Sequence, residues 1–359
     1  MIVTIKVIIL IITVGLVGST SEPCNLENGI AGECSDIKKC PFQIGRLRVG
    51  APVTTCENSS PHVCCPTSKS ISEIKCEEWR QMLFAPYSFD QPGFGRIECA
   101  ARAGVPLLIS SGTDAVPFEY PHVVALGYGS DVEDLQFGCA ATIISESYLL
   151  TAAHCVTHKL GKPSHAIIGE RVLLSPYQKL IHIADHIIHP EYEPPRIYND
   201  IAILRLSTQL SLDRYVLPAC IPTPLKAPRA NSSLEACGWG LQDDEAFPTN
   251  SILQVSNITT LGSRKCNKIY EDEPDKHVKY PEGLLKSQIC ATGEDAKICR
   301  SDSGGGVYVR EQQCLFHVVG ITSVESKQCG MESPSVYTNV ASYQDWIEST
   351  VWGETPKPR

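Results

Sequence analysis

Apolar residues in this 359-residue chain are arranged in two ways. From residue 121 onward, short runs of β-branched and aromatic residues alternate with Gly, Pro, Asn and Asp. Such runs predict strands, here at 123–128, 139–144, 148–151, 181–189, 201–206, 251–260, 307–309, 315–321 and 336–340. Many short strands at this spacing predict an antiparallel sandwich or barrel. Helix is sparse in this part, where 342–352 has an amphipathic pattern that predicts a closing helix with Trp346 facing the core.

Before residue 121 the pattern differs. Large apolar residues are scarce between Cys24 and Cys65, and six cysteines take their place: Cys24, Cys34, Cys40, Cys56, Cys64 and Cys65. A module this small cannot build a sufficient core, so disulfides must hold it. The residues alone allow 15 pairings of six cysteines. Paired C-x2-C units are missing, which argues against a zinc module. Residues 67–108 read as a linker, with a Ser-rich start, a short helix at 77–83, and punctuation at Pro86, Pro92 and Gly93. A linker of that length is either a functional segment or a flexible one.

The ends and the composition narrow the class. Lys6, an apolar run at 7–17 and small residues at 18–20 describe a secretory signal peptide in 1–20. The run falls short of the roughly 20 residues a bilayer span needs. A secreted, extracellular protein is expected, and its 17 cysteines suit an oxidising compartment. Asn58, Asn231 and Asn257 each begin a glycosylation triplet. A net charge of −9 argues against nucleic acid and anionic membranes as partners.

Candidate chemistry lies in three places. Cys299-Arg300-Ser301-Asp302-Ser303-Gly304-Gly305-Gly306 places a serine between an acid and a glycine run. Taken alone, the octet reads equally well as a surface turn. Thr151-Ala152-Ala153-His154-Cys155 ends a strand, with Cys139 earlier across a hairpin. Tyr198-Asn199-Asp200-Ile201-Ala202 puts an acid at the mouth of an apolar strand. Together Ser303, His154 and Asp200 supply a nucleophile, a base and an orienting carboxylate.

With these motifs, and with Ser335-Val336-Tyr337-Thr338 and Asp345-Trp346-Ile347, the chain resembles chymotrypsin-type serine proteases. The six-cysteine unit resembles the clip domain of arthropod clip-domain proteases, and Val105-Pro106-Leu107-Leu108-Ile109 the activation segment of their snake-like subgroup. The resemblance implies an all-β fold, a double β-barrel with a C-terminal helix, preceded by the small disulfide-rich clip domain. The expected organisation is a signal peptide at 1–20, a clip domain at 22–66, a linker and activation segment at 67–108, a protease domain at 109–352 and a tail at 353–359.

The resemblance also implies disulfides. These are Cys24–Cys64, Cys34–Cys56 and Cys40–Cys65 in the clip domain, and Cys139–Cys155, Cys237–Cys314, Cys266–Cys290 and Cys299–Cys329 in the protease domain. Cys99–Cys220 would tether the linker, leaving Cys76 as a free thiol or an intermolecular link. Ser301 and Ser303 would supply oxyanion-hole N–H groups, and Ser323 would hydrogen-bond near the buried acid. Cleavage between Leu108 and Ile109 would free an α-amine that pairs with Asp302, and the activating protease must accept leucine. No metal or cofactor is implied.

The chain departs from the family pattern in four places. The activation start is Ile109-Ser110-Ser111-Gly112. Ser301 replaces the oxyanion-hole glycine, where a misaimed N–H costs about 3 kcal/mol. Lys297, followed by Ile298, stands where trypsin-like members carry Asp at the pocket base. Ser323-Val324-Glu325 replaces Ser-Trp-Gly, and Ser335 replaces a pocket-wall glycine. Glu325 could fold inward onto Lys297 and fill the pocket. Two functional readings follow. One is an endopeptidase zymogen in an extracellular cascade with non-tryptic or impaired specificity, its partners being protein substrates, other cascade proteases and serpin inhibitors. The other is a weakly catalytic homologue that binds and regulates such proteases, or a venom component.

Overall fold

The computed structural model describes residues 22–26, 30–56, 62–84, 113–133, 135–169, 171–173, 178–213, 215–240, 252–271, 273–293, 303–311, 315–324 and 334–353. The chain opens with a three-stranded antiparallel sheet of β1 (Pro23–Asn25), β2 (Ala31–Asp36) and β3 (His62–Pro66). Three disulfides hold it: Cys24–Cys64, Cys34–Cys56 and Cys40–Cys65. Helix α1 (Pro41–Val49) starts on a proline and stops at Gly50, whose φ of 76° suits a glycine and lets its N–H reach the Arg46 carbonyl.

The segment read as a linker holds a 14-residue helix, α2 (Ile71–Phe84), longer than the expected 77–83. Its start is a capping box. Ser70 N–H donates to Glu73 Oε2 at 3.0 Å, and Glu73 N–H donates to Ser70 Oγ at 3.4 Å. Its apolar face docks on the protease domain. Trp79 and Leu83 are buried with Leu217 and Leu315, and Arg80 pairs with Glu311 at 2.6 Å. Cys220 is bonded to Cys76, on this helix, and not to Cys99. Cys76 is therefore neither a free thiol nor an intermolecular link, while Cys99 lies outside the described residues. Cys314, Cys299 and Cys329 lie outside them too, and with them the pairings proposed for Cys237–Cys314 and Cys299–Cys329.

The remainder is two barrels. Strand β4 (Thr113–Asp114) precedes the first, which is built from β5 (Val123–Tyr128), β6 (Gln136–Ile143), β7 (Tyr148–Thr151), β8 (Pro163–Ile168), β9 (Lys179–Ile188) and β10 (Ala202–Leu206). These close in the order β10-β7-β6-β5-β8-β9. Helix α3 (Ala153–Val156) follows β7. The second barrel takes β11 (Ser233–Gly238), β12 (Gln254–Thr260), β13 (Gln288–Gly293), β14 (Gly306–Arg310), β15 (Phe316–Val324) and β16 (Ser335–Asn339). Their order is β11-β14-β15-β16-β13-β12, closed by β11–β12 pairing, with β4 added beside β12. Helices α4 (Ser263–Tyr270) and α5 (Lys276–Lys279) lie between β12 and β13, and α6 (Gln344–Val351) ends the fold. Cys139–Cys155 staples β6 to α3, and Cys266–Cys290 joins α4 to β13.

Strands β8, β11 and β13 escape the sequence pattern because Pro, Gly, Ala, Gln and Glu dilute their β-branched content. On α6 the inward positions are Gln344, Ile347 and Glu348, at i, i+3 and i+4. Trp346 is half-buried, packed against the core cluster as expected and beside the His189 ring. The two polar residues are tolerated there because α2 supplies partners. Ser72 Oγ donates to Glu348 Oε1 at 2.6 Å, and Gln344 Nε2 donates to Ser70 Oγ at 2.9 Å and to Glu348 Oε1 at 2.8 Å.

Non-reducing peptide mapping should recover Cys76 and Cys220 in one linked species; recovery of Cys220 linked to Cys99 would contradict the fold. Trp79→Ala should cost about 3–5 kcal/mol of stability in denaturant titration, the range for emptying a buried aromatic site.

Candidate active site

The base is set by covalent and hydrogen-bonded anchors on either side of it. His154 sits on the single turn α3, immediately after β7. Cys155 is bonded to Cys139, and the Cys155 carbonyl accepts from Tyr128 Oη at 2.9 Å. His154 is then held from its front as well. Its backbone N–H donates to Asp200 Oδ1 at 2.9 Å, and its Nδ1–H donates to Asp200 Oδ2 at 2.7 Å. With Nδ1 as donor, Nε2 carries the lone pair that can take a proton.

Asp200 enters just before β10, after Asn199 at a φ of 53°. That left-handed residue reverses the chain, and Ile201 N–H bonds back to the Asn199 carbonyl at 2.8 Å. Asp200 is 2% exposed, which is costly for a carboxylate unless its oxygens are satisfied. The second barrel completes the set. Ser323 Oγ donates to Asp200 Oδ2 at 2.5 Å, and Thr338 Oγ1 donates to the Asp200 carbonyl at 2.8 Å. Burial pushes the Asp200 carboxyl up, but the His154 charge and the hydrogen bonds from His154 and Ser323 outweigh burial and hold it below its ordinary 3.8. The Tyr192 phenol also faces this carboxylate; burial and the Asp200 charge raise its pKa far above the usual tyrosine range.

Ser303 is half-buried at the entrance to β14. Its carbonyl accepts from Ala140 N–H of the first barrel at 2.9 Å. Gly304 N–H donates to the Thr322 carbonyl, and Thr322 N–H donates to the Gly305 carbonyl, both at 2.9 Å. Gly304 has a φ of 75°, and a Cβ there would overlap Thr151 Oγ1 and stand 2.7 Å from the Ala140 carbonyl oxygen and 2.8 Å from Cys155 Sγ. Only glycine admits this approach. The loop carrying Ser303 therefore packs directly on the residues flanking His154. Such a set can move a proton from a hydroxyl to an imidazole that a buried carboxylate orients, the chemistry of acyl transfer.

Other candidates are less fully placed. Val324 packs beside Ile197, Tyr198 and Tyr280, and Ser335 is half-buried at the start of β16. Leu108, Ile109, Lys297, Ile298, Ser301, Asp302, Glu325 and Asn58 lie outside the described residues. Asn231 is exposed on a turn at a φ of 64°, whereas Asn257 is half-buried inside β12. Among the described residues, the His/Cys clusters close enough to hold a metal use cysteines already committed to disulfides. Sequence reasoning missed Thr338, Tyr192 and Tyr343. Thr338 and Tyr343 come from β16 and the segment after it, so no local spacing marks them, whereas Tyr192 lies in the same β9–β10 connection as Asp200.

Comparison with known proteins agrees with this geometry. The trypsin family profile matches residues 109–347. Serine protease snk of Drosophila melanogaster is 32% identical over 345 residues, covering 89% of this chain and 76% of that protein. Phenoloxidase-activating factor 1 of Holotrichia diomphalia is 27% identical over 357 residues, covering 91% of this chain and 93% of that protein. Among solved structures, neuropsin, a serine protease expressed in the limbic system of mouse brain, superposes with a TM-score of 0.54 at 26% identity, covering 67% of this chain and 98% of its own. With a double barrel, a Ser303 loop seated on the His154 turn and a three-disulfide module ahead of them, the chain belongs to the trypsin family, as an arthropod clip-domain serine endopeptidase.

Proposed function

We propose that the protein is a secreted zymogen of an extracellular proteolytic cascade, in which Ser303, His154 and Asp200 are the catalytic triad. The observation that carries this reading is the buried Asp200 carboxylate spanning the backbone and ring of His154 at 2.9 and 2.7 Å. Ser303 Oγ would attack the scissile carbonyl as His154 Nε2 takes its proton. The imidazolium formed, stabilised by Asp200, would then protonate the leaving amine. The N–H groups of Ser301 and Ser303 would hold the oxyanion.

Activation would follow cleavage between Leu108 and Ile109 by a protease that accepts leucine. The family match begins at Ile109, which supports that boundary. The freed α-amine would pair with Asp302 and order the oxyanion loop, a buried charge pair acting as a switch. A phenoloxidase-activating factor among the relatives supports a cascade role. Lys297 at the pocket base would repel arginine and lysine side chains, so specificity is non-tryptic. A second reading, a weakly catalytic regulator of other cascade proteases, draws on Ser301 and Glu325, which by the family resemblance would crowd the oxyanion hole and the pocket neck. Serpins remain candidate inhibitors of the active form.

After activation, Edman sequencing of the heavy chain should begin at Ile109; any other start refutes the proposed switch. Stoichiometric labelling by a fluorophosphonate, abolished in Ser303→Ala, supports the enzyme. Labelling no greater than in that variant favours the regulator.

The depressed Asp200 pKa adds a pH dependence with a definite sign. A carboxyl that is more acidic when folded stabilises the fold above its unfolded pKa near 4, and that stabilisation is lost as pH falls through the folded value. The stability gap between the wild type and Asp200→Asn should therefore be full at pH 6–7 and close below about pH 4 in thermal melts.

A further inference from the structure

The clip module and α2 grip one short segment of the protease domain from two sides. From the clip module, Arg46 is 2% exposed and its guanidinium pairs with Asp345 at 2.5 Å. The Val49 carbonyl accepts from Ser342 Oγ at 2.7 Å. Val49 and Ala51 share a small apolar cluster with Ala227 and Ala341. Gly45 lies so close to Pro224 that a Cβ would stand 3.0 Å from its carbonyl carbon. From the other side, Ser70 and Ser72 hold Gln344 and Glu348.

Tyr343 lies between these contacts. It is 6% exposed, and its hydroxyl donates to Asn199 Oδ1 at 2.9 Å. Asn199 is the left-handed residue that turns Asp200 back toward His154, and its Nδ2 donates to the Glu191 carbonyl at 3.1 Å. A non-glycine residue in that conformation persists only where its surroundings hold it.

We propose that the clip module positions the catalytic acid: Arg46 and Val49 fix the segment around Tyr343, whose hydroxyl keeps Asn199 left-handed and Asp200 aimed at His154. This rests on the reading of His154 and Asp200 as the catalytic pair. Arg46 and Tyr343 are positioning residues and touch no substrate. The titratable groups facing Asp200 are His154, Tyr192 and Tyr343. Burial keeps both phenols protonated, that of Tyr343 with a pKa of about 12. Glu191 faces Tyr343 as well, and the His189 ring lies 5.2 Å from it.

The test uses the full-length secreted chain, cleaved between Leu108 and Ile109, as wild type, Arg46→Ala, Arg46→Lys, Ser342→Ala, Tyr343→Phe and the Arg46→Ala/Tyr343→Phe double variant. Two quantities are followed against pH: the rate constant for fluorophosphonate labelling, and the low-field proton resonance of His154 Nδ1–H. Tyr343→Phe should slow labelling about tenfold and Arg46→Ala about threefold, within the span expected of indirect coupling. Both should lower the midpoint of the His154 resonance, because a loosened carboxylate stabilises the imidazolium less. The double variant should be no worse than Tyr343→Phe, since both act along one route. Arg46→Lys should restore most of the loss.

Unchanged rate and midpoint in Arg46→Ala, or losses that multiply in the double variant, would overturn the proposal. If Arg46→Ala fails to fold, Ser342→Ala removes one hydrogen bond of the same seam and should give the same, smaller shift; no shift in it counts against the proposal. If the wild type itself does not label, the enzymatic reading fails, and the His154 resonance still decides whether the clip module reaches the pair.

Discussion

The contact on which the rest of the structure depends is the close approach of Gly304 to Thr151, Ala140 and Cys155. It brings the loop of the second barrel against the strand end and disulfide of the first. No residue with a Cβ fits there, and the φ of 75° asks for glycine independently. Two unrelated constraints thus coincide on one atom's absence. The consequence is geometric. Ser303 takes its place because its own carbonyl is bonded to Ala140 and the next residue has no side chain to keep the barrels apart.

Asp200 is the second joint between the barrels. It belongs to the first by sequence and is satisfied by the second through Ser323 and Thr338. A buried carboxylate with fewer partners would be neutralised by its surroundings. Here the His154 charge and three hydrogen bonds to its oxygens outweigh burial, so the acid stays ionised and the imidazole has one tautomer imposed on it. The site is a property of the seam, since the first barrel alone would leave Asp200 without the Ser323 and Thr338 hydroxyls.

The amino-terminal part of the chain is tied to this seam from behind. Helix α2 buries Trp79 and is bonded through Cys76–Cys220, while its serines occupy the polar face of α6. The clip module, too small for a core of its own, adds Arg46 and Val49 to the same end. Polar residues facing inward on a terminal helix would destabilise an isolated protease domain; in this chain they are the sockets into which the preceding segment fits.

Much of this was legible in the sequence, and the reason is locality. Short β-branched runs mark strands because the side-chain period of a strand is local, and nine runs were placed near their observed positions. The chemistry of Ser303, His154 and Asp200 was visible in residue type and motif order. The capping box Ser70-Ile71-Ser72-Glu73 was visible too, but its composition read as linker, because a helix of middling propensity needs a docking face to be stable. What the sequence by itself determined was the set of reactive groups, the strand periodicity and the disulfide-dependent character of the first module. What only the tertiary structure decided was which groups meet: Cys76 with Cys220, Gln344 and Glu348 with the serines of α2, and Tyr343 on Asn199. Those outcomes depend on side chains far apart in the chain meeting across a closed sheet, and no window of neighbouring residues contains both partners.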